Sequence, residues 1–165
     1  MLFLKEYRLY NVLFPLWMLI FFPQTWLYVI PANFIVDSAV LFLGAYFICR
    51  EKKKYVFKKS ILKVFVLGFL SDFVGSAFLL AGLFVGSLTE NAFIEDIFVN
   101  TSNGAQSVGG FFALAFAVLL SAVCIFFADY KIAFRKLEIE DSEKKKLALV
   151  LALATAPYTF FLPLY

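Results

Sequence analysis

Residues 97–128, IFVNTSNGAQSVGGFFALAFAVLLSAVCIFFA, contain no charged side chain. Similar charge-free stretches cover residues 9–36 and 147–165, and residues 64–89 hold a single charged residue, Asp72. About 20 apolar residues in a helix cross a hydrocarbon core roughly 30 Å thick. A closed barrel would show short alternating strands instead of long unbroken apolar runs. The sequence therefore predicts an all-α integral membrane protein.

The composition of the whole chain supports this class. Of the 165 residues, 63% are hydrophobic and only 16% are charged, against roughly 45–50% and about 25% in soluble domains. A chain of this size leaves about 30% of its unfolded surface exposed after folding. The apolar excess must therefore face lipid. We expect residues 1–165 to form a single polytopic membrane domain.

The apolar stretches predict a bundle of five transmembrane helices, with spans at about 11–30, 34–49, 61–88, 108–128 and 147–164. We interpret the first two spans as a helical hairpin. Pro31 disfavours helical geometry at Ile30, and Asn33 can cap a new helix. The alternative is four spans, in which this hairpin is one helix.

The distribution of Lys and Arg predicts the orientation. Short cytoplasmic loops collect basic residues, and with a cytoplasmic N-terminus and five spans all 15 basic residues lie on the inner side. The C-terminus is then outside. The apolar start lacks a small-residue cleavage site, so we expect it to be retained. These features, with the richness in Phe, Ile and Lys, predict a multi-pass protein of a bacterial cytoplasmic (plasma) membrane.

Two acidic side chains fall inside predicted spans, Asp37 in the second and Asp72 in the third. At 1.5 Å per residue both lie roughly 16–18 Å from the inner end of their helices. Apart from Lys63 near the inner end of the third span, no Lys, Arg or His lies within a span to neutralise them, and intramembrane acids usually face the protein interior or water. Asn33 and Ser71 are close to them in the sequence. We interpret these four residues as a candidate site for a proton, a cation or a substrate.

A structural role is the alternative for these acids. A protonated Asp can hydrogen-bond a neighbouring helix, and Asp37 can reach the outer interface because its span is short. The protein would then be a structural or regulatory membrane protein without a ligand site. An intramembrane aspartyl enzyme is the third hypothesis, but residues 33–37 and 71–75 contain no recognisable catalytic motif. We therefore expect no enzyme and no catalytic residues.

Small residues in the third span predict close helix packing. They recur at helical spacing on the face that holds Asp72 and continue to the end of the span: Gly68, Gly75, Gly82 and Gly86. Small residues let helix backbones approach closely in lipid. The last span carries a second small-residue stripe, Ala148, Ala152 and Ala156, which offers a partner surface.

A basic patch follows the second span, with one acidic residue among its seven basic ones: Arg50, Lys52, Lys53, Lys54, Lys58, Lys59 and Lys63. The main interpretation is that this patch anchors the topology, and it can also attract anionic lipid headgroups or an acidic partner. Further along, helical spacing predicts a short interfacial helix within residues 92–99. It also predicts an amphipathic surface helix that continues the fourth span through Tyr130, Phe134 and Leu137.

Several classes of site are excluded by composition. The chain has no His and two isolated cysteines, Cys49 and Cys124, so no zinc or haem ligand set and no His-dependent triad is available. Both cysteines lie toward cytoplasmic span ends, where thiols stay reduced. We expect no metal, no cofactor and no nucleic-acid partner. The leading hypothesis is a transport-related or accessory subunit that works in the lipid bilayer as a homo-oligomer or in a larger membrane complex.

Overall fold

The computed structural model describes residues 23–89, 92–99 and 108–161, and within these ranges the chain forms helices and turns without a strand. The α-helices are α1 (Trp26–Ile48), α2 (Lys53–Thr89), α3 (Ala92–Val99), α4 (Val108–Ala128) and α5 (Asp141–Ala154). Two short 3-10 turns flank these helices: Pro23–Thr25 precedes α1, and Tyr158–Phe161 follows α5. A π-helical turn, Asp129–Ala133, follows α4. Within the described residues, three helices are long and apolar enough to cross a membrane: α1, α2, and α4 with its π turn. The all-helical fold with helices of membrane-spanning length is thus confirmed, and the number and orientation of spans stay predictions.

Helix α1 runs without a break through Pro31, so the predicted hairpin between residues 30 and 34 is wrong. Proline lacks one backbone N–H, which costs one hydrogen bond in the second turn of the helix, and membrane helices tolerate such a loss. Edge-to-face ring contacts with α2 lie on both sides of the proline, Trp26 with Phe69 and Phe34 with Phe65. Packing on α2 therefore holds both parts of α1 in line. Most of the predicted span 11–30 lies outside the described residues, and the count of five spans stays a prediction.

A tight turn joins α1 to α2. The amide of Lys52 donates to the carbonyl of Cys49 at 2.9 Å, and α2 begins at Lys53. The predicted loop up to residue 60 is therefore wrong, and most of the basic patch lies on the first turns of α2. With 37 residues, α2 is roughly 55 Å long and extends beyond a hydrocarbon core of about 30 Å. Its lysine-rich start thus projects out of the apolar layer.

Helix α3 lies across α2 and α4 and confirms the helix predicted within residues 92–99. A Cβ on Gly82 of α2 would overlap the ring of Phe98, and a Cβ on Gly109 of α4 would lie 2.7 Å from the side chain of Ile97. Both glycines are therefore needed where α3 docks. We call this end of the bundle the distal end, and the opposite end, which holds Arg50–Lys63, the basic end.

The segment after α4 differs from the prediction. A surface helix through Phe134 was expected, but the helix ends in the π turn, and residues 134–140 form turns. Phe134 and Leu137 are buried, at 0% and 4% exposure. The spacing that predicts an amphipathic helix therefore has another cause, because these side chains fill the core at the basic end. Lys52 fastens the segment by donating from Nζ to the carbonyl of Glu138.

Helix α5 begins earlier and ends earlier than the predicted span 147–164. It starts at Asp141, where Glu140 and Glu143 form a capping box and the Glu140 amide donates to Glu143 Oε2 at 3.0 Å. It ends at Ala154, because Pro157 cannot continue it. Its apolar part, Leu147–Ala154, is only about 12 Å long. Helix α5 is therefore a half-helix that enters the bundle from the basic end between α1 and α4.

Two buried clusters form the core. The larger one, at the basic end, joins Leu41 of α1, Val64 of α2 and Leu147 of α5 around Phe134. The smaller one, toward the distal end, joins Leu79, Leu114 and Phe160. The small-residue stripe predicted for the last span is buried, with Ala148 and Ala152 in α5 and Ala156 just after it. Large apolar side chains cover the outside of the bundle, as a lipid environment requires.

Candidate intramembrane acidic site

Asp37 points from α1 toward α2 in the middle of the bundle. It is only 6% exposed, and a Cβ on Gly68 would lie 3.4 Å from its Oδ2. The glycine thus leaves space for the carboxyl between the two helices. Asp72 follows Gly68 by one helical turn, about 6 Å nearer the distal end. Because Asp37 lies against Gly68, the structure places these two predicted site residues within about one helical turn of each other along the α1–α2 contact.

A cavity of about 380 Å³ opens beside Asp72. It lies between α1, which contributes Asn33, and the end of α5 with the turn that follows: Ala154, Thr155, Ala156, Pro157, Tyr158, Thr159 and Phe160. One oxygen of Asp72, Oδ1, is inaccessible to solvent and has no hydrogen-bond partner among the described residues. An unpaired buried carboxyl oxygen is costly and indicates a missing water, proton or ion.

The C-terminus of α5 adds a second source of negative electrostatic potential to this cavity. The amide and the hydroxyl of Thr155 both donate to the carbonyl of Leu151, at 2.8 and 2.9 Å, and close the helix there. The partial negative charge of a helix C-terminus lies at its last carbonyls. Among the described residues, the cavity lining holds Asp72 but no Lys or Arg. Its electrostatics therefore favour a cation or a proton over an anion.

The structure reveals a further buried carboxyl at Asp129, the residue directly after the predicted fourth span. Asp129, in the π turn, has 0% exposure, and neither of its oxygens has a hydrogen-bond partner among the described residues. A signal was present in the sequence. Ser121, Ile125 and Asp129 follow one another at four-residue spacing, which places Asp129 on the buried face of α4.

Serine hydroxyls fall into two groups. Ser71, a predicted site residue, donates to the carbonyl of Leu67 in its own helix at 2.7 Å, so its hydroxyl is used within α2 and lies outside the cavity lining. A second group is buried without a hydrogen-bond partner in the described part of the chain: Ser38, Ser76 and Ser121. Ser76 lies one turn from Asp72 on the same face of α2. These hydroxyls extend the polar region along the helix contacts.

The predicted glycine face positions this region. Gly75 lies where α2 meets α4, because a Cβ there would overlap Ser121 Oγ and lie 2.8 Å from the carbonyl of Ala117. The ring of Phe160 would be 3.3 Å away, so the turn after α5 closes over the same spot. Gly86 is buried nearer the distal end. Small residues thus set the helix distances around the acids.

The three acids do not form a metal cage. Within residues 23–89, 92–99 and 108–161, no group of three His, Cys, Asp or Glu side chains converges in a way that could hold a metal ion. Comparison with protein-family models, with curated proteins and with solved structures finds no match for this chain. The interpretation of the site therefore rests on its geometry.

Cys49, at the basic end, gives a prediction that is independent of the acids. It is 3% exposed, and burial, followed by the nearby charge of Glu143, raises its pKa from 9.0 to about 11. In a Cys124→Ala variant we expect Cys49 to react with a maleimide at neutral pH roughly a hundredfold more slowly than in the unfolded chain, because its thiolate is scarcer. The rate should rise steeply as the pH passes from 9 to 11.

The folded state holds the Cys49 proton more tightly, so its contribution to stability is present below pH 9 and is lost as the pH rises toward 11. Labelling in detergent before and after unfolding in sodium dodecyl sulfate measures the difference. Rapid labelling of the folded protein at neutral pH would show that the thiol is not sealed by the α1–α2 turn.

Proposed function

We propose that the protein is a transport-related membrane subunit that uses its intramembrane acids to bind and pass a proton or a small cation. One observation carries this proposal. Asp72 holds a buried oxygen without a hydrogen-bond partner beside a cavity of about 380 Å³, and none of the described residues that line this cavity is Lys or Arg. A carboxylate in that position is stable only when it gains a proton or a cation. Intramembrane acids with these surroundings usually mark ion or substrate pathways.

The break in α5 supports the same function. Transporters place half-helix ends and unwound backbone near the middle of the membrane, where carbonyls and the negative helix end stabilise a cation. Helix α5 ends at Ala154, and its C-terminal residues line the cavity together with Asn33. The non-helical backbone after α5 therefore lines a cavity. Non-helical backbone at membrane depth is tolerated in such a position.

Orientation and assembly are part of the proposal. The basic end faces the cytoplasm, because short cytoplasmic loops collect Lys and Arg, and the cavity then opens toward the outer half of a bacterial cytoplasmic membrane. With five spans the N-terminus is inside and the C-terminus outside. A single chain of this size is small for an autonomous carrier. It would therefore work as a homo-oligomer or as a subunit of a larger membrane complex.

The test is proton flux into vesicles. The purified protein is reconstituted into vesicles that contain a pH-sensitive dye, and an outward potassium gradient with valinomycin supplies the driving potential. We expect Asp72→Asn to lower the flux by about a hundredfold, because a positioned proton-transferring side chain contributes on that order. Asp72→Glu should retain part of it. The matched control is Asp141→Asn, which removes an exposed carboxyl at the basic end.

The outcomes separate transport from a purely structural role. An Asn can still donate and accept hydrogen bonds, so a structural Asp72 would tolerate Asp72→Asn with unchanged flux, whereas Asp72→Leu would weaken assembly. Size-exclusion elution and melting temperature check that each variant is folded. Wild-type flux no faster than that of empty vesicles, or an Asp72→Asn flux equal to wild type, would refute the proposed function.

A further inference from the structure

We propose that the tight turn between α1 and α2 holds a binding site for one anionic glycerophospholipid, whose phosphate lies between Arg50 and Lys53. The site is at the basic end of the bundle and does not depend on the proposed transport function. The sequence indicates only that the whole basic patch can attract anionic headgroups. The proposal narrows that attraction to a single cleft, which two of the seven basic side chains of the patch line.

The cleft has the charge and the donors that a phosphate group requires. Its volume is about 440 Å³, and four residues line it: Tyr46, Phe47, Arg50 and Lys53. Two of the four are basic, and none of these described lining residues is Asp or Glu. A guanidinium presents parallel N–H donors that match two phosphate oxygens, and an ammonium group adds a compact positive charge.

The polar groups of the cleft are available to a ligand. Within the described part of the chain, the Arg50 guanidinium makes no hydrogen bond or ion pair, and the Tyr46 hydroxyl has no hydrogen-bond partner. Lys53 is half-buried, and its Nζ lies 4.3 Å from the centroid of the Tyr46 ring. This contact positions the ammonium group without neutralising it. Lys52, by contrast, is engaged by the carbonyl of Glu138.

Acidic side chains of this end line a neighbouring groove, which Arg50 and Lys52 also line: Glu51, Glu138, Glu140 and Glu143. Among the described residues, no carboxylate lies within ion-pair distance of Arg50 or Lys53. The cleft therefore keeps its positive charge. An anion is attracted to the cleft and repelled by the acids of the groove.

The cleft lies at the level of lipid headgroups. Helix α1 has 23 residues and is roughly 35 Å long, close to the thickness of a hydrocarbon core of about 30 Å. It ends at Ile48, so Tyr46 lies near the edge of this core and Arg50 just beyond it. Tyrosine is enriched at this depth. Lipid phosphates are concentrated in the same layer, which favours a lipid over a free anion.

An exposed apolar face of α1 leads from the cleft into the hydrocarbon layer. Its residues alternate at spacings of three and four, which keeps them on one side of the helix, and all are exposed: Val36, Ala39, Leu43 and Tyr46. Acyl chains of a lipid whose phosphate occupies the cleft can lie along this face. A basic cleft continuous with an apolar face fits a glycerophospholipid better than inorganic phosphate or an acidic peptide.

The experiment measures lipid binding to the full chain in dodecyl maltoside micelles by native mass spectrometry. The probe is dioleoyl phosphatidylglycerol, and dioleoyl phosphatidylcholine, which has no net charge, is the comparison. We expect one phosphatidylglycerol per chain and weaker binding of phosphatidylcholine. Replacing both Arg50→Gln and Lys53→Gln should weaken phosphatidylglycerol binding about 25-fold, because each basic side chain near an anionic headgroup contributes roughly fivefold.

The matched control combines Lys54→Gln with Lys58→Gln. It removes two charges from the same basic patch at exposed positions outside the cleft lining, and it should bind phosphatidylglycerol nearly as well as the wild type. A variant with Arg50→Lys and Lys53→Arg keeps both charges and should retain most of the binding. Melting temperature and elution volume check that each variant is folded.

Each contrary result overturns a definite part of the proposal. An equal loss in the Lys54 and Lys58 control would show diffuse attraction by the whole patch in place of a cleft. Equal binding of the two lipids would remove the role of charge, and displacement of the lipid by an equal concentration of glycerol phosphate would identify a soluble ligand. If the double variant is unfolded, Arg50→Gln and Lys53→Gln are measured singly, and wild-type binding in both overturns the site.

Discussion

Replacing Gly75 with Val is expected to prevent the bundle from assembling. A Cβ at this position would overlap Ser121 Oγ and lie 2.8 Å from the carbonyl oxygen of Ala117. The serine side chain can rotate, but the carbonyl belongs to the backbone of α4, so the helices must separate. Overpacking by a methyl group typically costs about 1–3 kcal/mol, and we expect this for Gly75→Ala. The destabilisation by the larger, branched Val side chain should exceed this cost.

Thermal unfolding in detergent, followed by size-exclusion chromatography, measures this loss. Ala81→Leu is the matched control. It adds a larger side chain to the same helix on a face that is open to lipid, and surface changes usually stay within about 0.5 kcal/mol. We expect Gly82→Ala to cause an intermediate loss of stability, because its new methyl group meets the side-chain ring of Phe98 and not a backbone atom. A Gly75→Val protein as stable as Ala81→Leu would show that α2 and α4 do not meet at this glycine.

The sequence reveals the helical membrane class because lipid imposes strong constraints. Long apolar runs have few alternatives to a helix, and within the described residues three helices reach spanning length. Glycines at helical spacing also indicate where helices meet, and Gly75 and Gly82 both face neighbouring elements at close range. The apolar runs and the glycine spacing depend on local composition, which can be read from a single sequence.

Helix ends are predicted less well because tertiary packing decides them. Pro31 favours a break by local geometry, yet ring contacts between α1 and α2 on either side keep the helix continuous. Leu147–Leu164 has the composition of a span, but Pro157 ends α5 early and leaves a half-helix. The charges from Lys144 to Lys146 suggest a loop, although they lie within α5.

The candidate site was predictable in part for the same reason. An acid inside an apolar run, as at Asp37 and Asp72, stands out in the sequence. Asp129 comes directly after such a run and resembles the first residue of a loop. Only the fold shows that the π turn and the segment after it cover this side chain. The cavity also could not be predicted, because it depends on the end of α5 meeting α1.

Phe134→Ala is expected to cause the second large loss of stability. Phe134 is the largest side chain with 0% exposure and lies in the core cluster at the basic end. Truncating a buried Phe to Ala typically costs about 3–5 kcal/mol, from lost contacts and the cavity that remains. Unfolding in detergent with increasing sodium dodecyl sulfate measures the change in the free energy of unfolding. Ile132→Ala is the matched control, since that side chain is 56% exposed.

The Phe134 substitution also separates stability from transport. The amide of Phe134 donates to the carbonyl of Asp129 at 2.9 Å, and this backbone bond survives the loss of the ring. The π turn that carries Asp129 should therefore persist in the molecules that remain folded. We expect Phe134→Ala to lower the fraction of folded protein while flux per folded molecule stays near that of the wild type. Equal stability of Phe134→Ala and Ile132→Ala would contradict the burial of the ring. The opposite pattern, a stable fold without flux, is expected of Asp72→Asn.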